Sequence, residues 1–506
     1  MRKNPSTAVR PSPLDPEQCW RAVIARDRRF EGRFFMGVRT TGIYCRPGCP
    51  ARTPARRNVS FHPTAAAAQR AGFRACLRCR PETVPGSAAA AGTSAIVARA
   101  LRLIDAGALD EHSVEDLAAR VGVTSRWLRQ LFIARLGAGP LAVGQTRRAH
   151  LARRLIESST LTTEEIAATT GFGSARRLRH ALGRAFGRPA SELRKFSGRP
   201  AGEASLALLL RARGPLHAGR TLEFLAARAI PGVEVVERLV WRRTAETAAG
   251  PLVVEAAEAP ADALRVSIRP PLAGAVSALV ARVTRVFDLD ADAAAIAAML
   301  RRDPWLRDHL PAAGVRIPGA WDTFEMGVRA IVGQQISVAA ARTVLGRLVA
   351  ICGEQVARPE SGLTHCFPAP AALAAANLGA AGLTRARAAT LRTFAAAVAS
   401  GQLDLSAALP LEPSVARLTL LPGIGDWTAH EIALRGLSEP DAFPAGDLVL
   451  RRQLTRGPRL PSEREVRERA ERWRPWRGYA AMALWNSAAR ESKRRSTETS
   501  AKGRKR

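Results

Sequence analysis

The sequence is nearly devoid of lysine. Its 506 residues include only five lysines: Lys3, Lys195, Lys493, Lys502 and Lys505. None occurs between Gly198 and Ser492. Chemistry that needs an amine nucleophile, such as Schiff-base formation, is therefore excluded from that stretch. Arginine carries nearly all of the positive charge.

Long apolar runs are also missing. No run approaches the ~20 residues needed to cross a bilayer. The N-terminal sequence MRKNPSTAVRPSP lacks the apolar core of a signal peptide. We therefore expect a cytoplasmic, nucleoid-associated protein with no membrane partner.

Basic residues are in large excess. The formal net charge of +33 arises from 77 Lys and Arg against 44 Asp and Glu, which points to a polyanion as partner. Residues 1–200 are the more basic part, with 35 Lys and Arg against 14 Asp and Glu. The length and the 47% hydrophobic content suffice for three or four domains.

Four of the seven cysteines form two close pairs. Cys45 and Cys49 are spaced as C-x₃-C, and after a gap of 26 residues Cys76 and Cys79 are spaced as C-x₂-C. In a cytoplasmic chain this pattern indicates one tetrahedral Zn²⁺ site rather than disulfides. Spacing alone is compatible with a purely structural site. The remaining cysteines are isolated, and we expect them to be small buried hydrophobes.

Two segments have the pattern of a helix-turn-helix unit. Val114–Phe132 and Thr163–Phe186 each contain a helix, a compact Gly-containing turn and a second helix. A long helix, Pro140–Ser158, is expected between them. The second helices carry basic residues that would enter successive major grooves, namely Arg126, Arg129, Arg176 and Arg177. The alternative is an Arg-rich bundle that holds DNA without sequence preference.

Residues 201–290 have the pattern of antiparallel strands, expected at Val233–Trp241, Leu252–Glu258 and Leu264–Ile268. Thr221–Ala229 precedes them as a helix. The composition of this portion predicts no chemistry.

A Gly-rich turn follows in LPGIG. Pro422 presets its entry, Gly423 and Gly425 permit left-handed backbone angles, and Ile424 can pack back between two helices. Such a turn presents backbone N–H groups at a helix N-terminus, where a phosphate can bind.

The next feature is the carboxylate of Asp447. Asp447 follows Gly446 and precedes the apolar run Leu448–Leu450, which places it at the start of a helix. An Asp in this position is most often only an N-cap.

The hairpin and this Asp resemble the helix-hairpin-helix superfamily of DNA glycosylases. Three further segments are similar to its alkylpurine branch, the bacterial inducible 3-methyladenine glycosylase: Phe324–Ala341, His365–Pro370 and Trp473–Trp485. The resemblance covers residues 203–490. It implies that the enzyme flips a base out of the duplex and needs no organic cofactor.

The resemblance also implies site residues. Asp447 would be the catalytic residue, Trp427 and Trp485 would line the base pocket, and Gln335 would fill the gap left by the flipped base, where the family uses an apolar side chain. The hairpin residues expected to contact DNA are Pro422, Gly423, Ile424 and Gly425. In family members that nick the strand, a lysine stands where this chain has Trp427, so we expect base excision without strand cleavage.

The N-terminal part resembles a second family. The sequence around the four cysteines, including RFFMGVRTTGIYCRPGCPAR, is similar to the Ada-type methylphosphotriester repair proteins. The resemblance implies that Cys45 accepts a methyl group irreversibly and that Thr41, Arg52 and Arg74 lie near the DNA phosphate. An exposed, metal-bound thiolate would be the nucleophile. The two helix-turn-helix units that follow resemble the AraC-type DNA-binding domain.

We therefore expect a multidomain, mainly α protein. Its predicted parts are a small zinc-binding α/β domain (1–85), an AraC-type double helix-turn-helix (92–197), a small antiparallel β-sheet domain (203–290), a helix-hairpin-helix glycosylase α domain (291–490) and a disordered basic tail (491–506). Double-stranded DNA, alkylated or promoter, is the expected partner of a monomer, with RNA polymerase as a candidate. The competing hypothesis is a transcription regulator whose glycosylase half is inactive and whose zinc site is structural.

Overall fold

The structure is a computed structural model. It describes residues 15–503 except 28–29, 31–32, 80, 82–94, 159–160, 196–205, 248–249, 261, 271–275, 312, 361 and 406–408. The sequence predicts a small-residue linker at Val84–Thr93 and a Gly- and Pro-containing junction at Ser197–Ala204, and both lie wholly outside the described residues. The chain divides into two compact units, Met1–Arg213 with Pro271–Ala281 and Gly214–Pro270 with Arg282–Arg506.

The fold is mainly helical, as predicted. The helices are α1 (Pro16–Ile24), α2 (Ala65–Arg70), α3 (Ala95–Asp105), α4 (Ala108–Glu111), α5 (Val114–Arg120), α6 (Ser125–Leu136), α7 (Pro140–Ser158), α8 (Thr163–Thr169), α9 (Ala175–Phe186), α10 (Ala190–Lys195), α11 (Ala218–Arg228), α12 (Val276–Val286), α13 (Ala293–Leu300), α14 (Thr323–Val332), α15 (Val338–Cys352), α16 (Pro370–Ala375), α17 (Arg385–Ala399), α18 (Leu411–Thr419), α19 (Asp426–Arg435), α20 (Leu448–Gln453), α21 (Glu463–Ala470) and α22 (Arg477–Gly503). The strands are β1 (Phe35–Val38), β2 (Ile43–Cys45), β3 (Val59–His62), β4 (Arg74–Ala75), β5 (Leu206–Arg211), β6 (Glu234–Glu237), β7 (Val240–Ala245), β8 (Leu252–Ala259), β9 (Ala263–Arg269), β10 (Gln355–Glu360) and β11 (Leu363–His365).

In the first unit a four-stranded sheet has the order β3-β1-β2-β4. Strand β1 pairs antiparallel with β2 and β3, whereas β2 pairs parallel with β4. Because the two paired strands run in the same direction, the end of β2 lies beside the segment after β4.

The two helix-turn-helix segments begin with helices, α5 and α8, whose N-termini are capped in the same way. Ser113 and Asp116 form a capping box at the start of α5, and Thr162 and Glu165 form one at the start of α8. Both second helices, α6 and α9, end at a left-handed glycine. Helix α7 has the bounds predicted from the sequence, and it contacts α6, α8 and α9.

In the second unit β6 to β9 form an antiparallel meander. The single strand expected at Val233–Trp241 is wrong, because the chain turns there. Arg238 and Leu239 have φ values of 48° and 61°, which is the pattern of a type I′ turn. Gly and Asn are the usual residues of such turns, so the Arg-Leu pair carries no turn signal in the sequence.

Besides the meander, the second unit contains α11, α13, helices α14 to α22 and the short hairpin of β10 and β11. Helix α14 is apolar and buried almost all round, and it packs against α17 and α19. The hairpin of β10 and β11 was not predicted.

The prediction of a disordered basic tail is wrong, since α22 runs on to Gly503. Between Gly478 in the first turn of α22 and Gly503 the sequence contains no Pro or Gly, so no residue in this stretch favours an earlier end of the helix.

A buried ionic network joins the meander to α14. Arg243 donates to Glu234 at 3.0 Å and to Glu325 at 2.9 Å, and Arg329 donates to the same two carboxylates. Burial alone would raise the pKa of Glu325, but the two guanidinium groups lower it below its ordinary value. The stabilisation from this ionised carboxylate is therefore present above its unfolded pKa and is lost as the pH falls through the folded pKa.

Replacing Glu325 with Ala should be strongly destabilising, because it leaves two buried guanidinium groups each without one partner. We expect a loss of about 3–5 kcal/mol in the free energy of unfolding, measured by urea denaturation of the intact chain. Glu468→Ala is the control, since Glu468 pairs with Arg464 at 2.8 Å in an exposed position and should change little. Equal shifts in the two variants would contradict a special role of the buried network.

Candidate functional sites

The four paired cysteines converge in the first unit. Cys45 ends β2, and the parallel pairing of Tyr44 with Ala75 places Cys76 next to it. The Sγ atoms of all four lie within 4.8 Å of one another. A tetrahedral Zn²⁺ ion with Zn–S distances of about 2.3 Å needs sulfur atoms about 3.8 Å apart. The residues therefore fit such an ion.

The charge of this cluster also calls for a cation. A hydrogen bond with Cys49 and burial raise the pKa of Cys45 far above its ordinary range. Four crowded sulfurs cannot all be thiolates without a compensating positive charge, and a divalent cation provides it. The expected exposure of Cys45 is wrong, because only 6% of the residue is accessible. The residue lies at a strand end inside the cluster, which covers it.

The side chains predicted to contact DNA in the first unit are all exposed: Thr41, Arg52, Arg74, Arg126, Arg129, Arg176 and Arg177. Three of them have additional contacts, and the Thr41 hydroxyl donates to Val38 O at 3.3 Å. Arg129 pairs with Glu115 at 2.7 Å. The guanidinium group of Arg74 packs over Gly187, which ends α9.

A buried polar network, which the sequence did not reveal, joins the cysteine-containing sheet to α7. The Tyr44 hydroxyl lies 3.1 Å from Nε2 of His150 and accepts a hydrogen bond from Gln69, whose Oε1 accepts one from Thr146. Burial lowers the pKa of His150 to about 3, so its ring is neutral. The residue next to Cys45 is thus bonded to the helix between the two helix-turn-helix units.

The predicted hairpin lies between α18 and α19. Gly423 has a φ of +84°, whereas Gly425 is the extended N-cap of α19, so the expected left-handed angle holds only for the first glycine. The side chain of Ile424 is buried in the core, as expected. Pro422, Gly423 and Gly425 are exposed, and no side chain caps α19.

Asp447 is the N-cap of α20, and its carboxylate has three donors. Oδ1 accepts from the Leu450 backbone at 3.0 Å and from the Trp485 indole at 3.1 Å, while Oδ2 accepts from the Trp427 indole at 3.1 Å. The capping role is therefore real, but it does not explain the two indole donors. The two tryptophans that were expected to offer ring faces also hold this carboxylate by their edges.

Gln335 lies between α14 and α15 with its side chain exposed and a φ of +55°. Non-glycine residues rarely adopt this conformation, which costs about 1–2 kcal/mol. The neighbouring Gln334 donates to Gly423 O at 3.0 Å and to Thr428 Oγ1 at 2.9 Å. This contact fixes the Gln335 turn beside the hairpin.

No helix within the described ranges is long and apolar enough to cross a membrane.

Four family models match successive parts of the chain. Residues 18–82 match the metal binding domain of Ada, 117–195 a helix-turn-helix domain, 207–322 the AlkA N-terminal domain, and 328–476 the HhH-GPD superfamily of base excision DNA repair proteins. The order of these matches is the one predicted from the sequence.

Curated relatives match as well. A Mycobacterium tuberculosis protein described as "Probable bifunctional transcriptional activator/DNA repair enzyme AlkA" is 41% identical over 94% of this chain and 96% of its own length. Escherichia coli DNA-3-methyladenine glycosylase 2 is 35% identical over 52% of this chain and 91% of its own. The E. coli bifunctional transcriptional activator/DNA repair enzyme Ada is 41% identical over 29% of this chain and 39% of its own.

The two hairpin glycines offer a matched pair of variants. A Cβ on Gly423 would collide with Thr390 in a left-handed backbone, whereas a Cβ on Gly425 meets nothing within 4 Å. We expect Gly423→Ala to distort the hairpin and to lower the affinity for duplex DNA about tenfold or more, as roughly 1–2 kcal/mol of backbone strain implies. Gly425→Ala should bind nearly as the native chain does. Fluorescence anisotropy with a labelled duplex measures both, and equal affinities would contradict the role of the hairpin.

Proposed function

This chain belongs to the family of bifunctional transcriptional activator/DNA repair enzymes of the AlkA type, and from this premise we propose that it excises alkylated purines of the 3-methyladenine kind from DNA. Fused to this glycosylase are a zinc-dependent methylphosphotriester acceptor and a sequence-specific regulator of the adaptive response. The domains would be those predicted from the sequence. They are the zinc-binding domain (1–85), the double helix-turn-helix (92–197), the β-sheet domain (203–290) and the glycosylase domain (291–490).

The observation that carries the glycosylase proposal is the triple hydrogen bonding of Asp447. An N-alkylated purine is positively charged and leaves without a general acid. What the reaction lacks is stabilisation of the positive charge that develops at C1′ of the sugar, and a fixed carboxylate supplies it without reorganising. Three donors hold the Asp447 carboxylate in one orientation, which is the requirement for this role.

The flipped base would be held in the same region. Trp427 and Trp485 are partly exposed, so their rings can face a base while their edges hold Asp447. Gln335 would fill the vacated space in the duplex, and its amide can hydrogen-bond the unpaired partner base. The exposed hairpin at Pro422, Gly423 and Gly425 would bind a backbone phosphate at the N-terminus of α19.

Water would complete the reaction. The lysine-free stretch offers no amine that could attack C1′, so the product should be an abasic site in an unbroken strand.

Methyl transfer would take place at Cys45. One Zn²⁺ ion, held by Cys45, Cys49, Cys76 and Cys79, would keep the sulfur in its thiolate form. The thiolate attacks the methyl carbon of the phosphotriester, an S–C bond forms, the C–O bond breaks, and the restored phosphodiester leaves with the electron pair. Thr41, Arg52 and Arg74 would bind the phosphate.

The regulator would read promoter DNA with Arg126, Arg129, Arg176 and Arg177 in successive major grooves. We propose that it acts as a monomer and contacts RNA polymerase. The shielding of Cys45 favours one part of the competing hypothesis, namely a structural zinc site. The donors at Asp447 argue against the other part, an inactive glycosylase half, because a binding module does not need an oriented carboxylate.

Asp447→Asn should abolish base release, because it removes the negative charge while keeping the size and an oxygen that can cap α20. The native chain should free methylpurines from alkylated duplex DNA and leave alkali-labile, unbroken strands. Trp427→Phe, which removes one donor, should retain measurable activity. Chromatography of the released bases and gel analysis of the strands test this proposal. Unchanged release by the Asn variant, or no release by the native chain, would overturn it.

A further inference from the structure

A second carboxylate lies on the helix that carries Trp427. Glu431 follows Trp427 by four residues on α19, so the two side chains share one helical face. Only 8% of Glu431 is accessible, and it lies within electrostatic range of Asp447. The sequence pattern of α19 did not single it out, since an isolated Glu in a helix is usually solvated.

Glu431 is unusual among the buried carboxylates because it has no bonded partner among the residues that the structure describes. In the described parts of the chain, no hydrogen bond and no ion pair within 4.0 Å involves its side chain. Glu325, by contrast, is fully buried and receives two guanidinium groups. Buried carboxylates are normally satisfied, so an unpaired one beside a reaction site indicates a group kept for a ligand.

The arginines near Glu431 are engaged elsewhere. The guanidinium carbons of Arg228 and Arg435 lie 3.7 and 4.8 Å from the centre of the Phe224 ring, and Arg435 donates to Pro318 O at 2.8 Å. Burial raises the pKa of Glu431 most, Arg435 lowers it, and Asp447 raises it again. Glu431 and Asp447 thus lie within electrostatic range of each other, and a cation bound near both carboxylates would be favoured.

We propose that Glu431 is a specificity-determining residue that faces the flipped base and selects bases carrying a positive charge. A purine alkylated on a ring nitrogen has this charge and supplies the partner that Glu431 lacks. A neutral lesion such as hypoxanthine does not supply it. This proposal rests on the proposed glycosylase function and adds a substrate class to the same site.

The test compares two lesions in one duplex sequence. Single-turnover release of 7-methylguanine (cationic) and of hypoxanthine (neutral) is measured for the native chain and for Glu431→Gln, with spontaneous loss subtracted. We expect the variant to lose about 10- to 100-fold in the release of 7-methylguanine, the size of one charge-assisted contact, and less than about threefold in the release of hypoxanthine. Equal losses for both bases, or no loss for either, would overturn the proposal.

Two further variants keep the outcome interpretable. Glu431→Asp keeps the charge and should retain most of the preference for the cationic base, whereas a purely structural role predicts that Glu431→Gln, which keeps the size, is tolerated better than Glu431→Asp. Glu439→Gln changes another buried carboxylate, just beyond α19, and should leave the ratio of the two rates unchanged. A native chain that releases neither base would refute the proposed function itself, which is a different outcome from a native chain without preference.

Discussion

Three N–H groups donate to the carboxylate of Asp447, and they come from three helices, α19, α20 and α22. The Trp427 donor lies two residues after Gly425, the hairpin glycine that caps α19, so the hairpin turn and the carboxylate are fixed relative to each other. The Trp485 donor lies on α22, whose apolar residues share a core with Leu450 and Ala433. Hairpin, carboxylate and ring faces consequently form one rigid arrangement.

In the first unit, the position of Cys45 likewise depends on one strand pairing. The parallel pairing of β2 with β4 brings Cys45 to Cys76, and the same strand carries Tyr44, whose hydroxyl reaches His150 of α7. Cys45 therefore lies one residue from a buried hydrogen-bond network that ends on α7, the helix between the two helix-turn-helix units.

The sequence predicted structure correctly where a local residue pattern is typical of a single kind of element or site. The bounds of α7 follow from its helical pattern, and the convergence of the paired cysteines follows from their metal-ligand spacing. The sequence could not reveal the turn at Arg238 and Leu239, because neither residue favours positive φ. The burial of Cys45, the indole donors to Asp447 and the unpaired Glu431 depend on side chains from distant segments, so they required the three-dimensional structure.

We propose that one polypeptide repairs both the backbone and the bases of alkylated DNA. The most direct measurement treats the intact chain with a duplex containing one methylphosphotriester and one 3-methyladenine, and follows the protein by peptide mass mapping and the DNA by base chromatography. We expect one methyl group on Cys45, free 3-methyladenine and unbroken strands from the same reaction. An unmodified Cys45 together with an intact base would contradict it, leaving a protein that only binds DNA.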